Sequence, residues 1–76
     1  MPTIARLPKS QIRIFGKEHP PPHFHIRAND GSKAAVTIMT LRVLAGEIPQ
    51  PALSEALQWA EANRLLLMRL WKENNP

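Results

Sequence analysis

The sequence predicts an α+β domain: a three- to four-stranded antiparallel sheet followed by a long or bent C-terminal helix packed on one face. Three observations carry that expectation. Gln11–Phe15 and His23–Ala28 alternate apolar and polar side chains with a period of two. From Pro51 the apolar positions recur at helical spacing instead. Between these stretches the chain is punctuated by KEHPPP, NDGS and AGE, where Pro, Gly, Asn and Asp mark loops.

Gln11–Phe15 (QIRIF) alternates and is β-branched, so it reads as a first strand, ended by Gly16. KEHPPP is a loop, because each proline lacks an N–H and biases its predecessor towards extended, polyproline-like geometry. His23–Ala28 (HFHIRA) alternates again as a second strand. Asn29-Asp30-Gly31-Ser32 supplies residues that tolerate positive φ, the signal of a tight hairpin into a third strand, Lys33–Thr40. Leu41–Leu44 reads as a short fourth strand or edge. Pro51 suits a first helical position, where its missing N–H loses no partner. Leu53, Ala56, Leu57, Ala60, Leu67 and Leu70/Trp71 then form an apolar stripe. It is interrupted near Asn63-Arg64, which leaves one bent helix or two in sequence. Leu65 to Met68 are apolar nearly all round the helix, more than one covered face needs, so part of that surface must meet the sheet, a second copy or a partner.

The 76 residues form a single domain, 1–76, with 43% hydrophobic and 21% charged residues, a globular composition. The absence of cysteine excludes disulfides, thiolate metal sites and a cysteine nucleophile. A core this small makes a homo-oligomer or a bound partner an expectation. MPTIARLPK lacks the apolar run of a signal peptide and no stretch is apolar enough to span a membrane, so a cytoplasmic location without membrane contact is expected. The net charge is +4 and is unevenly placed. Residues 1–33 hold Arg6, Lys9, Arg13, Lys17, Arg27 and Lys33 against Glu18 and Asp30, whereas in residues 34–76 the charges cancel. A basic half-domain favours a polyanion such as RNA, or an acidic protein; a merely solubilising surface is the bland alternative.

The stretch HPPPHFHIR, His19–Arg27, contains all three histidines of the chain. Alternation along an extended strand puts His23, His25 and Arg27 on one face, about 7 Å apart, and Phe24, Ile26 and Ala28 on the core face. Arg13, between Ile12 and Ile14, faces away from the core as well. Three uses fit. The first is RNA cleavage or binding without a metal, with His23 and His25 as the acid–base pair, because imidazole titrates near neutrality. Arg13 and Arg27, with Lys17 and an auxiliary His19, then hold phosphate. The second is a His-ligated metal site; only Glu18 and Asp30 are near in sequence to supply a carboxylate, and the surrounding positive charge opposes a cation. The third is structural, with the histidines capping a sheet edge. The other residues are weaker candidates. No serine or threonine stands in a G-x-S-x-G context, Glu55 and Glu61 suit solvated helix positions, and Trp59 and Trp71 suit core or interface anchoring. None of these residues implies a cofactor.

The opening MPTIARL, the strand IRIF, the run HPPPHFHIR and the later LAGEIPQPAL and EALQWAE together resemble a small bacterial domain-of-unknown-function family, number 4160 in its series. The likeness covers nearly the whole chain. Members of that family are commonly encoded beside a second small protein in what looks like a toxin–antitoxin pair, with the HPPPHFH protein similar to the toxin. The resemblance therefore implies a bacterial cytoplasmic protein with a small acidic, antitoxin-like partner encoded nearby. The family motif falls on His19, Pro20, Pro21, Pro22, His23, Phe24, His25 and Arg27. KAAVTIMT departs from the family by lacking the acidic residues usual in the third strand, so no carboxylate role is carried over there. The expectation is a toxin acting on RNA through a His/His/Arg face; the alternatives are a non-enzymatic interaction module with a basic docking face, and a His-ligated metal protein.

Overall fold

A computed structural model describes residues 3–76. The chain runs β1 (Thr3–Arg6), β2 (Ser10–Arg13), β3 (His23–Ala28), β4 (Lys33–Thr37), β5 (Val43–Gly46), α1 (Gln50–Ala62) and α2 (Arg64–Asn74). The strands form one antiparallel sheet in the order β1-β2-β3-β4-β5, each hydrogen-bonded to its neighbour in sequence. This is the α+β arrangement the sequence predicts, with five strands rather than three to four. The additional strand is β1. Its pairing with β2 slips at a bulge between Thr3 and Ala5, so the two-residue period that reveals a strand is broken within its four residues.

The registers place the side chains. Ile12 pairs with Ile26, and Phe24 with Val36, on the face that the helices cover; all four are fully buried. On the other face Gln11 pairs with Arg27 and Arg13 with His25, while on the β4 side His25 meets Ala35 and Arg27 meets Lys33. Arg6 joins that face opposite Gln11. The helices sit on the apolar face by different means. α1 presents Ala52, Ala56 and Ala60, buried at four-residue spacing, and small side chains let its backbone lie close to the strands. α2 reaches further with Leu67 and Trp71. Leu65, by contrast, is 89% exposed.

The helix is two helices. Asn63, at φ −122° and ψ 26°, leaves the helical region, and its side-chain amide donates to the Trp59 carbonyl at 2.8 Å. An asparagine side chain competing for a backbone acceptor is a local reason for a break. No helix among the described residues is long and apolar enough to cross a membrane.

Two turns fix the ends of β4. In the β3–β4 hairpin Gly31 adopts φ +91°, and Asp30 Oδ1 accepts hydrogen bonds from the Ser32 amide at 2.9 Å and from its hydroxyl. After β4 the chain turns through residues 38–42 instead of extending to Thr40. Leu41 takes φ +57° there, and the Leu41 amide donates to the Thr37 carbonyl at 2.9 Å. At the far end of β5, Gly46 has φ +81°, and any Cβ at that position would collide with the Lys33 carbonyl. The Pro20–Pro21 peptide is cis, so the proline run is not the all-trans polyproline helix that its composition suggests.

Candidate functional site

β3 begins where three parts of the chain converge: its own first residues, the long β2–β3 loop (residues 14–22), and the C-terminal end of α2. The extended backbone of β3 puts His23 and His25 on the same face, two residues apart, with ring centroids 5.2 Å from each other. The loop then carries Glu18 up to both. Glu18 Oε1 lies 2.8 Å from His25 Nε2 and 3.3 Å from His23 Nε2.

The loop's course is set from the far end of the sequence. The Glu18 amide donates to Asn75 Oδ1 at 2.7 Å, and the Asn75 side-chain amide donates to the Phe15 carbonyl at 3.1 Å and the Trp71 carbonyl at 3.2 Å. One asparagine just past α2 thus ties both sides of the loop to the helix end. Gly16 lies against the same helix end, where a Cβ would come within 3.1 Å of the Asn74 carbonyl.

The two histidines differ in setting. His23 is buried, its ring 4.9 Å from that of Trp71, and its Nδ1 is 2.8 Å from the Pro21 carbonyl. A carbonyl only accepts, so the Nδ1 proton is assigned and the remaining nitrogen, Nε2, faces Glu18. His25 is half-buried, with the partly exposed Phe15 ring edge-on to it at 4.8 Å. Its side chain opens onto a cleft of about 430 Å³ that Arg13, Phe15, Glu18, Arg27 and Lys33 also line. Arg13 donates to Gln11 at 2.9 Å, and its Nε is buried without a partner among the described residues.

Burial alone raises the Glu18 carboxyl. The hydrogen bond from His25 and the positive character of both imidazoles outweigh it, holding the group below its ordinary value of 4.5. The carboxylate is thus the anionic centre of an otherwise basic face.

Of the residues expected to act, the structure brings His23, His25, Arg13 and Arg27 to one face. His19 is exposed in the loop and stands outside the Glu18–His23–His25 cluster. Lys17, at φ +59°, borders a separate depression beside Trp71 and Asn74. Glu18 lines both clefts and is the residue that sequence reasoning passed over. Its only signal was being one of two carboxylates near the histidines.

The sequence profile of a family described as Domain of unknown function (DUF4160) matches residues 11–72. The chain belongs to this family. The matched residues of DUF4160 begin at Gln11 in β2 and end at Lys72 in α2, so they include Glu18, His23, His25 and both lining arginines. No curated protein and no solved structure matches the chain.

Proposed function

We propose that this DUF4160 protein binds RNA on the open face of its sheet and acts on it as the toxin half of a toxin–antitoxin pair. The observation that carries the reading is the cleft. Arg13, Arg27 and Lys33 line it, the exposed edge of Phe15 borders it, and Glu18 with His25 closes one end. Guanidinium groups pair with phosphate through two parallel donors, and aromatic rings stack the unpaired bases of single-stranded RNA. In this reading the Glu18–His25 pair at the end of the cleft activates the nucleophile of a phosphodiester cleavage. In this reading a small acidic partner neutralises the protein by covering the same cations.

The test is binding and turnover of a single-stranded RNA across a salt series. The wild-type affinity should fall steeply with salt, and Arg13→Glu/Arg27→Glu should weaken it and reduce the slope of log affinity against log salt by about two. His25→Ala should abolish turnover and relieve growth arrest while leaving RNA bound. Salt-insensitive or absent RNA binding, with tight binding of an acidic protein through Arg13 and Arg27, would overturn the RNA reading in favour of an interaction module.

A further inference from the structure

We propose that Glu18, His23 and His25 form a binding site for a divalent first-row transition-metal ion, zinc being the ion that tests it. The site rests on its own geometry and not on the RNA reading. One ligand atom from each residue, two imidazole nitrogens and a carboxylate oxygen, lies within 4.8 Å of the other two. In tetrahedral coordination an ion about 2.0–2.2 Å from each ligand needs those atoms roughly 3.3–3.5 Å apart. The His23–Glu18 separation of 3.3 Å already meets that requirement. The His25–Glu18 contact of 2.8 Å must open by about half an ångström, and the two imidazole nitrogens, within 4.8 Å of each other, must draw together.

The hydrogen bonding of His23 is a second argument. His23 spends its Nδ1 proton on the Pro21 carbonyl at 2.8 Å. The remaining nitrogen, Nε2, points at a Glu18 carboxylate oxygen 3.3 Å away in a half-buried place. A metal ion seated between the two atoms takes both as ligands. An imidazole fixed through Nδ1–H to a backbone carbonyl, with Nε2 free, is the arrangement in which proteins present histidine to metals. His25 coordinates through Nε2, giving up the proton that bridges it to Glu18. Glu18 supplies the carboxylate ligand.

The donor set selects the class of ion. Two imidazoles with one carboxylate suit zinc, iron, cobalt, nickel and copper, whereas magnesium and calcium prefer oxygen throughout. Three protein ligands also leave a coordination position unfilled, as in catalytic zinc sites. Glu18 and His25 border the cleft lined by Arg13, Arg27 and Lys33, so an exogenous ligand reaches the ion from there. Those cations disfavour a bare dication but favour an anion, such as a phosphate oxygen, as its fourth ligand. The frame is fixed beforehand by Trp71 against His23 and by Asn75 on the Glu18 amide.

The experiment uses tag-free, chelator-treated full-length protein, titrated with Zn²⁺ by calorimetry and with Co²⁺ by visible absorption, in the absence of RNA. The expected result is saturation at one ion per chain at micromolar concentrations. Glu18→Gln and His25→Ala should each weaken binding by at least about 100-fold, and His19→Ala should leave it unchanged. Should either variant lose its far-UV circular dichroism, the imidazole ¹⁵N shifts of the wild type decide: those of His23 and His25 must move on zinc addition and those of His19 must not. Absence of stoichiometric binding overturns the site and leaves Glu18–His25 as a metal-free proton-transfer pair. Binding that persists in Glu18→Gln and His25→Ala, or that depends on His19, overturns it as well.

Discussion

The two ends of β3 each carry a carboxylate held below its ordinary value, and they are held for opposite reasons. At the β3–β4 hairpin Asp30 is lowered by hydrogen bonds from Ser32, two residues away, and is fully exposed. At the other end Glu18 is lowered against the effect of its own burial, by histidines from a different element. Asp30 is satisfied by the turn it builds. Glu18 is satisfied only by groups that are themselves chemically active, and the chain brings residues 57 positions apart together to place its backbone. The first carboxylate shapes a loop; the second makes a site.

Substitutions at the two ends should separate these roles, and the largest effect belongs to Glu18. In metal-free protein Glu18→Ala removes the acceptor from His25 Nε2, and unfolding by urea should show a loss of about 1 kcal/mol, modest because both side chains reach water. The pH dependence has a definite sign. A carboxyl depressed in the folded state stabilises fully above its unfolded value, near 4.5, and that contribution fades as pH falls through the folded value. The wild type's advantage over Glu18→Ala should therefore be present at neutrality and vanish in acid.

Read as zinc affinity, where Glu18→Gln loses at least about 100-fold, Asn75→Ala should act next in size. It leaves all three ligand side chains in place but frees the Glu18 amide and the Phe15 carbonyl. Zinc affinity should drop by about 10-fold, in the range of outer-shell losses, with the cobalt spectrum retaining its band positions. A drop as large as that of Glu18→Gln, with a changed spectrum, would show that Asn75 or its neighbours do more than position. The smallest effect belongs to Asp30→Asn. Asn keeps an acceptor for the Ser32 amide and suits the same turn, so zinc binding, RNA binding and the urea midpoint should all stay within error of the wild type. A loss of binding there would erase the distinction between the two ends.

What the sequence disclosed follows the range of the interactions involved. The alternation of HFHIRA placed Phe24 and Ile26 in the core and His25 and Arg27 on the open face, because a strand's side-chain period is set by its own backbone. Asn29–Ser32 was legible as a hairpin for the same reason: its hydrogen bonds close within the turn. β1 was hidden by a bulge in a four-residue strand, and the early end of β4 by the positive φ of Leu41, which no residue rule assigns to leucine. Glu18 was hidden most deeply. Its approach to the histidines is dictated by Asn75 and Trp71 at the other end of the chain, and no local pattern around KEHPPP announces a contact with a helix end. The metal alternative looked poor in sequence because cations surround the histidines. The structure supplies the carboxylate that changes that balance.

The most direct test is a crystal structure of the protein grown with one equivalent of zinc, with anomalous data collected on both sides of the zinc absorption edge. The account predicts a single anomalous peak about 2.0–2.2 Å from Nε2 of His23, Nε2 of His25 and a carboxylate oxygen of Glu18, with its open side towards Arg13 and Arg27. A map with no peak among these three residues, or with its peak on His19, would contradict it.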